Sequence, residues 1–127
     1  MTTNADILVI EDDAIMREAV AEWLRTAGYG VRTAEDGNAG LGSVSMAVPS
    51  LVVTDIHMPG KSGALVISEL KRTHPDIPII AISGLFHSGL GINADQVVAL
   101  GAARALSKPF KRSELLGAVA ELLPPPS

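Results

Sequence analysis

The chain contains no cysteine, which excludes a disulfide framework, a thiolate metal site and a cysteine nucleophile. Aromatic residues are scarce: one Trp, one Tyr and two Phe. With a hydrophobic content of 47%, the core must therefore be built mainly from aliphatic side chains. Apolar runs fall far short of the roughly 20 residues that cross a membrane. The start, Met1-Thr2-Thr3-Asn4-Ala5-Asp6, has neither the basic region nor the apolar stretch of a signal peptide. Positive charge is also in deficit, since 10 Lys and Arg against 14 Asp and Glu leave a net charge of -4. That balance argues against non-specific binding to nucleic acid or to a membrane surface. A soluble, cytoplasmic domain is the expectation, and 127 residues are enough for one self-supporting core.

What is present alternates. Ile7–Ile10, Leu51–Thr54 and Ile77–Ile82 are short, branched apolar runs that read as strands, and Gly30–Ala34 and Ala103–Leu106 as weaker ones. Between them lie amphipathic stretches. Met16, Val20, Trp23, Leu24 and Ala27 share one helical face that Gly28 ends. Gly37–Ala47 reads as a helix weakened by Gly40 and Gly42, and Ala64–Arg72 as a helix after the Pro59, Gly60 and Gly63 loop. A glycine-rich loop, Gly84–Gly91, precedes a helix ending near Gly101, and Lys111–Leu123 forms the last helix, with Leu115, Val119 and Leu122 on one face. The tail Pro124-Pro125-Pro126-Ser127 cannot continue a helix and reads as a stop or the start of a linker. Strand–helix alternation with continuous apolar strands predicts a parallel sheet covered by helices on both faces. In such sheets functional groups gather beyond the carboxyl ends of the strands.

At those ends stand Glu11-Asp12-Asp13, then Asp55, then Ser83-Gly84, then Ser107-Lys108-Pro109. Singly, each reads as a solvated loop or a cap; together they place carboxylates, a hydroxyl and one lysine at one edge. Crowded carboxylates repel, and one rises in pKa unless a cation sits among them. Hard oxygen donors suit Mg²⁺. Asp55 is then the carboxylate available as a nucleophile toward phosphorus. Lys108 would add charge, Ser83 a hydrogen bond, and Gly84 an unobstructed approach.

Four stretches carry a resemblance: Ile7-Leu8-Val9-Ile10-Glu11-Asp12-Asp13, Val53-Thr54-Asp55-Ile56-His57-Met58-Pro59, Ile79-Ile80-Ala81-Ile82-Ser83-Gly84 and Leu106-Ser107-Lys108-Pro109-Phe110. In this order they resemble a response-regulator receiver domain, the phospho-acceptor half of bacterial two-component signalling, over residues 5–123. The resemblance implies a flavodoxin-like fold, a five-stranded parallel sheet of order 2-1-3-4-5 with five helices. It implies that Asp55 is the phospho-acceptor, that Asp12 ligates Mg²⁺ directly, and that Glu11 acts on the ion mostly through water. Asp55 and the backbone carbonyl of His57 would complete the metal's protein ligands. Ser83 resembles the switch hydroxyl, Lys108 the lysine that pairs with the phosphoryl group, and Gly63 the glycine opening the third helix. The Lys108-Pro109 peptide is typically cis in such domains. The implied partners are a sensor histidine kinase or a histidine phosphotransfer protein, plus an output protein of unknown identity. The fourth helix, fifth strand and fifth helix are the family's usual face for a partner or a homodimer. On this reading the chain is not an enzyme acting on an external substrate. With no DNA-binding segment after residue 123, it reads as a stand-alone regulator or an excised receiver.

The chain departs from the pattern at Ala105, where such domains usually carry a Tyr or Phe that swings inward on activation. The loop Gly84–Gly91 is a few residues longer than usual. Its glycines suggest mobility, and Leu85 and Phe86 are expected as exposed apolar groups, so the loop is expected to order on phosphorylation and carry the signal. His57 borders the expected phosphoryl site. With His74 and His87 it is too scattered in sequence for a three-histidine zinc site. Three rivals stand beside this reading. A phosphohydrolase would need Asp-x-Asp-x-Thr after the first strand. A flavin carrier would need a phosphate loop where Glu11-Asp12-Asp13 would repel phosphate. A degenerate receiver used as an unphosphorylated docking module has Ala105 in its favour.

Overall fold

The computed structural model describes residues 5–86, 89 and 91–124. His87, Pro125, Pro126 and Ser127, singled out above, lie outside the described residues. In chain order the elements are β1 (Asp6–Ile10), α1 (Ala14–Thr26), β2 (Gly30–Ala34), α2 (Gly37–Met46), β3 (Leu51–Asp55), α3 (Gly63–Thr73), β4 (Ile79–Ser83), α4 (Ala94–Leu100), β5 (Arg104–Ser107) and α5 (Arg112–Leu122). The five strands form one parallel sheet of order β2-β1-β3-β4-β5. This is the doubly wound, flavodoxin-like arrangement expected from the alternation of elements.

Successive strand side chains go to opposite faces, and two aliphatic clusters result. Ile7, Val9, Leu51, Val53, Ile80 and Ile82 meet Val20 and Leu24 of α1 and Leu115 and Val119 of α5. Leu8, Ile10, Val52, Ile79 and Ala81 meet Val44 of α2, Val66, Ile67 and Leu70 of α3 and Val97 of α4. The sheet order dictates this split. The first crossover runs one way from β1 and the next three run the other, so right-handed connections place α1 on the opposite face from α2, α3 and α4. Trp23 meets Phe110 edge-on at 6.2 Å between ring centroids on the α1–α5 side.

Helix starts follow their caps. Asp13 accepts from the N–H groups of Ile15 and Met16, Asp36 from Ala39 and Ser62 from Leu65, while Asn93 and Gln96 form a capping box. Of the two glycines that weaken α2, Gly40 also lets it dock. A Cβ on Gly40 would collide with the Ile10 side chain, whose Cγ1 lies 2.8 Å from where that Cβ would stand. β4 begins at Ile79 rather than at Ile77, because Pro78 has no N–H to give the ladder. β5 runs one residue later than expected and is only partly buried, as its pairing with β4 alone leaves it at the sheet edge.

One expectation is overturned. Phe86 is not exposed: it is 5% accessible and belongs to the cluster beneath α3 and α4. An aromatic ring in a glycine-rich loop carries no periodicity to signal burial, and here the neighbouring α4 supplies the apolar walls.

Candidate functional site

Parallel pairing aligns the strand ends. Ile10 sits opposite Thr54, Asp55 opposite Ile82, and Ser83 opposite Ser107. The residues just beyond therefore share one edge, at the point between β1 and β3 where the connections reverse direction. Ligand oxygens of Glu11, Asp12 and Asp55 lie within 4.8 Å of one another. Glu11 and Asp55 are 3% and 5% accessible, whereas Asp12 is exposed. Asp13 does not join them, because its carboxylate caps α1. Which of the acids faces the site depends on where α1 starts, so the triplet alone does not divide them.

Lys108 reaches this group from the carboxyl end of β5. Its Nζ donates to Glu11 Oε1 at 3.0 Å and stands 3.5 Å from Asp55 Oδ1. The Lys108 N–H donates to the Ser83 carbonyl at 2.9 Å, and the Lys108-Pro109 peptide is cis. Asp55 Oδ1 also accepts from the Ile56 N–H at 3.0 Å, and Thr54 Oγ1 donates to the Asp55 carbonyl at 3.0 Å. Gly63 closes the floor: its N–H donates to the Ile56 carbonyl at 2.9 Å, and a Cβ there would run into the Asp55 backbone. One contributor has no sequence signature. Arg17 of α1 donates to the Glu11 carbonyl at 2.9 Å, which only the docking of α1 makes possible.

Ser83 is fully buried, and its Oγ accepts the Leu85 N–H at 2.9 Å. Gly84 is exposed, and a Cβ there would meet only Lys108 Cβ at 3.8 Å. The His57 side chain is exposed. Its ring faces Gly91, where a Cβ would stand 3.2 Å from His57 Cε1. His74 is held elsewhere, with Nδ1 2.9 Å from Thr73 Oγ1.

The electrostatics follow from one cation among buried acids. Burial pushes Glu11 up to about 7, outweighing the lowering effect of the Lys108 hydrogen bond. Burial likewise raises Asp55 against the pull of the Lys108 charge. Burial alone would lower Lys108, but the Glu11 hydrogen bond and the Asp55 charge outweigh it and raise it. The site is thus short of positive charge. Its donors are all carboxylate oxygens, a set that fits a hard divalent cation such as Mg²⁺.

Residues 7–120 match the response regulator receiver domain family. The chain is 35% identical over 115 residues to the transcriptional regulatory protein FixJ of Bradyrhizobium diazoefficiens, covering 91% of this chain and 55% of that protein. It is 32% identical over 124 residues to the DNA-binding transcriptional regulator NtrC of Rhizobium meliloti, covering 98% of this chain and 25% of that protein. The chain thus spans only a quarter to just over half of these relatives. Among solved structures, the receiver domain of NtrX from Brucella abortus superposes with a TM-score of 0.86 at 33% identity, covering 93% of this chain and 98% of that one. The chemotaxis protein CheY4 of Vibrio cholerae superposes with a TM-score of 0.83 at 25% identity, covering 95% of this chain and all of that one. Fold, strand-end residues and family match agree: this chain belongs to the receiver domains of response regulators.

Proposed function

We propose that this domain accepts a phosphoryl group onto Asp55 from a phosphohistidine of a sensor histidine kinase or histidine phosphotransfer protein. A carboxylate oxygen of Asp55 attacks phosphorus, the bond from phosphorus to the imidazole nitrogen breaks, and the imidazole leaves. The observation that carries this reading is Asp55 itself, a buried carboxylate at a strand end with Lys108 Nζ 3.5 Å away and two further acids beside it. Asp12 and Asp55, the His57 carbonyl, and Glu11 through water would hold Mg²⁺. When bound, the ion would neutralise charge on the carboxylates and on the incoming phosphoryl oxygens. Lys108 would exchange its Glu11 contact for a phosphoryl oxygen. Ser83 would donate its hydroxyl to another, and the open space at Gly84 would admit the group. The switched domain, read as residues 5–123 and cytoplasmic, would then change its affinity for an output protein or a second copy through α4, β5 and α5. Exposed Val98 and Leu100 on α4 support that face.

The test is intact mass after incubation with a small acyl phosphate and Mg²⁺. One phosphoryl increment is expected in the wild type, and none in Asp55→Asn or with the metal chelated. Absence of an adduct, together with failure to bind beryllofluoride, would instead favour the unphosphorylated docking module, which Ala105 on β5 supports.

A further inference from the structure

Glu11 stands one residue past the ladder. Ile10 is the last residue of β1 in register with β2 and β3, and the Glu11 N–H makes the final bond, to the Ala34 carbonyl at 3.0 Å. The Glu11 carbonyl lies beyond the reach of that register, and a buried carbonyl without a partner is costly. Arg17 is the partner it has. Arg17 lies one turn before Ala21 and two before Leu24, on the stripe of α1 that is buried against the sheet. Helical side chains lean toward the N-terminus of their helix, which for α1 is the edge where the strands end. From there Arg17 Nη1 donates to the Glu11 carbonyl at 2.9 Å.

The same peptide plane carries Asp12. The Glu11 carbonyl and the Asp12 N–H belong to one planar unit, so the bond that fixes the carbonyl also fixes the direction in which Asp12 leaves it. Asp12 depends on this more than its neighbours do. Glu11 Oε1 and Oε2 accept from Lys108 Nζ and the Asp13 N–H, and Asp55 Oδ1 accepts from the Ile56 N–H. Asp12 is exposed, and among the described residues its carboxylate accepts no hydrogen bond. Its place beside Glu11 and Asp55 is therefore set by its backbone. Arg17 acts on that backbone without occupying a ligand. Among the described residues it forms no ion pair, whereas Lys108 is engaged with both Glu11 and Asp55.

We propose that Arg17 is a positioning residue for the divalent cation: by holding the Glu11–Asp12 peptide it keeps the exposed Asp12 carboxylate turned toward Asp55. The inference rests on the reading that Asp12 and Asp55 hold the ion. It gives Arg17 an effect opposite in sign to that of its charge. A cation beside the acids opposes the arrival of a second cation, so charge alone predicts that removing Arg17 tightens metal binding. Positioning predicts that removal weakens it.

Mn²⁺ is the probe, because it takes the same hard oxygen donors as Mg²⁺ and its free-ion paramagnetic resonance signal falls on binding. Arg17→Met is expected to raise the Mn²⁺ Kd about tenfold, as for the loss of an outer partner of a metal ligand. Arg17→Lys keeps the charge and a donor and should recover part of the affinity. Val20→Ala truncates a fully buried residue of the same helix and should lower stability in urea without moving the Kd. Urea unfolding in chelator establishes that each variant is folded under the titration conditions, and Arg17→Gln replaces Arg17→Met if the latter is not. An unchanged or lowered Kd in the variant without the charge overturns the proposal and leaves the metal reading standing. A Kd in Arg17→Lys as weak as in Arg17→Met, or an equal rise in Val20→Ala, overturns it as well. If the wild type binds no Mn²⁺, the metal reading fails and the role of Arg17 fails with it.

Discussion

The Lys108 ammonium donates to Glu11 Oε1 at 3.0 Å, joining residues 97 positions apart in sequence. Glu11 is nearly inaccessible, and Asp55, the neighbour that shares this one cation, is buried as well. A single lysine cannot neutralise two buried carboxylates. The metal-free site therefore favours retaining a proton, and a divalent cation would displace it. The chemistry proposed for Asp55 and the acid–base behaviour of the resting domain arise from the same shortage of positive charge.

That shortage gives the metal-free protein a pH dependence of definite sign. Glu11 holds its proton up to about pH 7 in the fold, against an ordinary value of 4.5, and Asp55 is raised in the same direction. Between those limits the folded chain binds more protons than the unfolded one, so this contribution is full below about pH 4.5 and is lost as pH rises through about 7. In chelator, thermal melts should show wild-type Tm falling relative to Glu11→Gln between pH 5 and 7.5, by about 3–5 °C for each kcal/mol involved. Mg²⁺ at 100 times its Kd should restore about 2.7 kcal/mol at the upper pH. Parallel pH profiles for the two proteins would remove Glu11 as the cause.

Removing the cation should sharpen the effect. Lys108→Met leaves Glu11 and Asp55 buried without their shared partner, and a buried charge deprived of its partner is costly. The side chain of Lys108 is 25% accessible, so solvent moderates the loss to about 1–3 kcal/mol at pH 7.5. Urea unfolding should also show the loss shrinking toward pH 5, as Glu11 takes up its proton. A loss that is the same at both pH values would show that Lys108 contributes by packing alone.

Arg32 illustrates a contact of a different kind. Its guanidinium reaches Asp6 Oδ2 at 2.9 Å, the Ser43 carbonyl at 3.0 Å and hydroxyl at 2.9 Å, and the Ala47 carbonyl at 2.7 Å. α2 has no basic residue in its last turn, so Arg32 supplies from β2 the donors that its C-terminal carbonyls lack. Arg32→Met should cost about 1–2 kcal/mol through those lost hydrogen bonds. Arg32→Lys should recover only part of it, because an ammonium cannot span the same acceptors. Asp6→Asn should cost under about 1 kcal/mol, as expected for a partly exposed ion pair whose hydrogen bond the amide oxygen can still accept. Chemical denaturation of the three variants checks the order.

The contrast between Arg32 and the strands shows what the sequence carries. Ile7–Ile10 and Leu51–Thr54 are legible because strands covered on both faces need apolar residues at every position. The acids, Ser83 and Lys108 are legible because a parallel sheet brings its strand ends to one edge. Arg32, Arg17 and Phe86 are not. Each is one residue whose partners are set by how a helix docks from elsewhere in the chain, and neither spacing nor composition records that docking. Spacing alone does not divide Asp12 from Asp13 either, since that turns on the residue at which α1 begins; only the resemblance implied Asp12.

The glycines give a prediction in which sign distinguishes packing from propensity. Gly63 and Gly42 both lie in helices and would look equally replaceable on propensity alone, Ala being favoured by about 1 kcal/mol in each case. At Gly63 a Cβ would collide with the Asp55 carbonyl and lie 2.7 Å from Ile56 Cα, both backbone. Rigid backbone cannot yield as a side-chain tip can, so α3 must shift away from β3, and Gly63→Ala should destabilise by about 2–4 kcal/mol. Because the obstructed atom belongs to Asp55 itself, the variant should also slow formation of the phosphoryl adduct while leaving its stoichiometry at one per chain. At Gly42 no atom lies within 4 Å of the added Cβ, so Gly42→Ala should stabilise by about 0.5–1 kcal/mol and leave adduct formation unchanged. Urea melts and a time course by intact mass on the two variants separate the cases. Equal stabilisation by both would mean that the third helix does not rest on the Asp55 backbone as described.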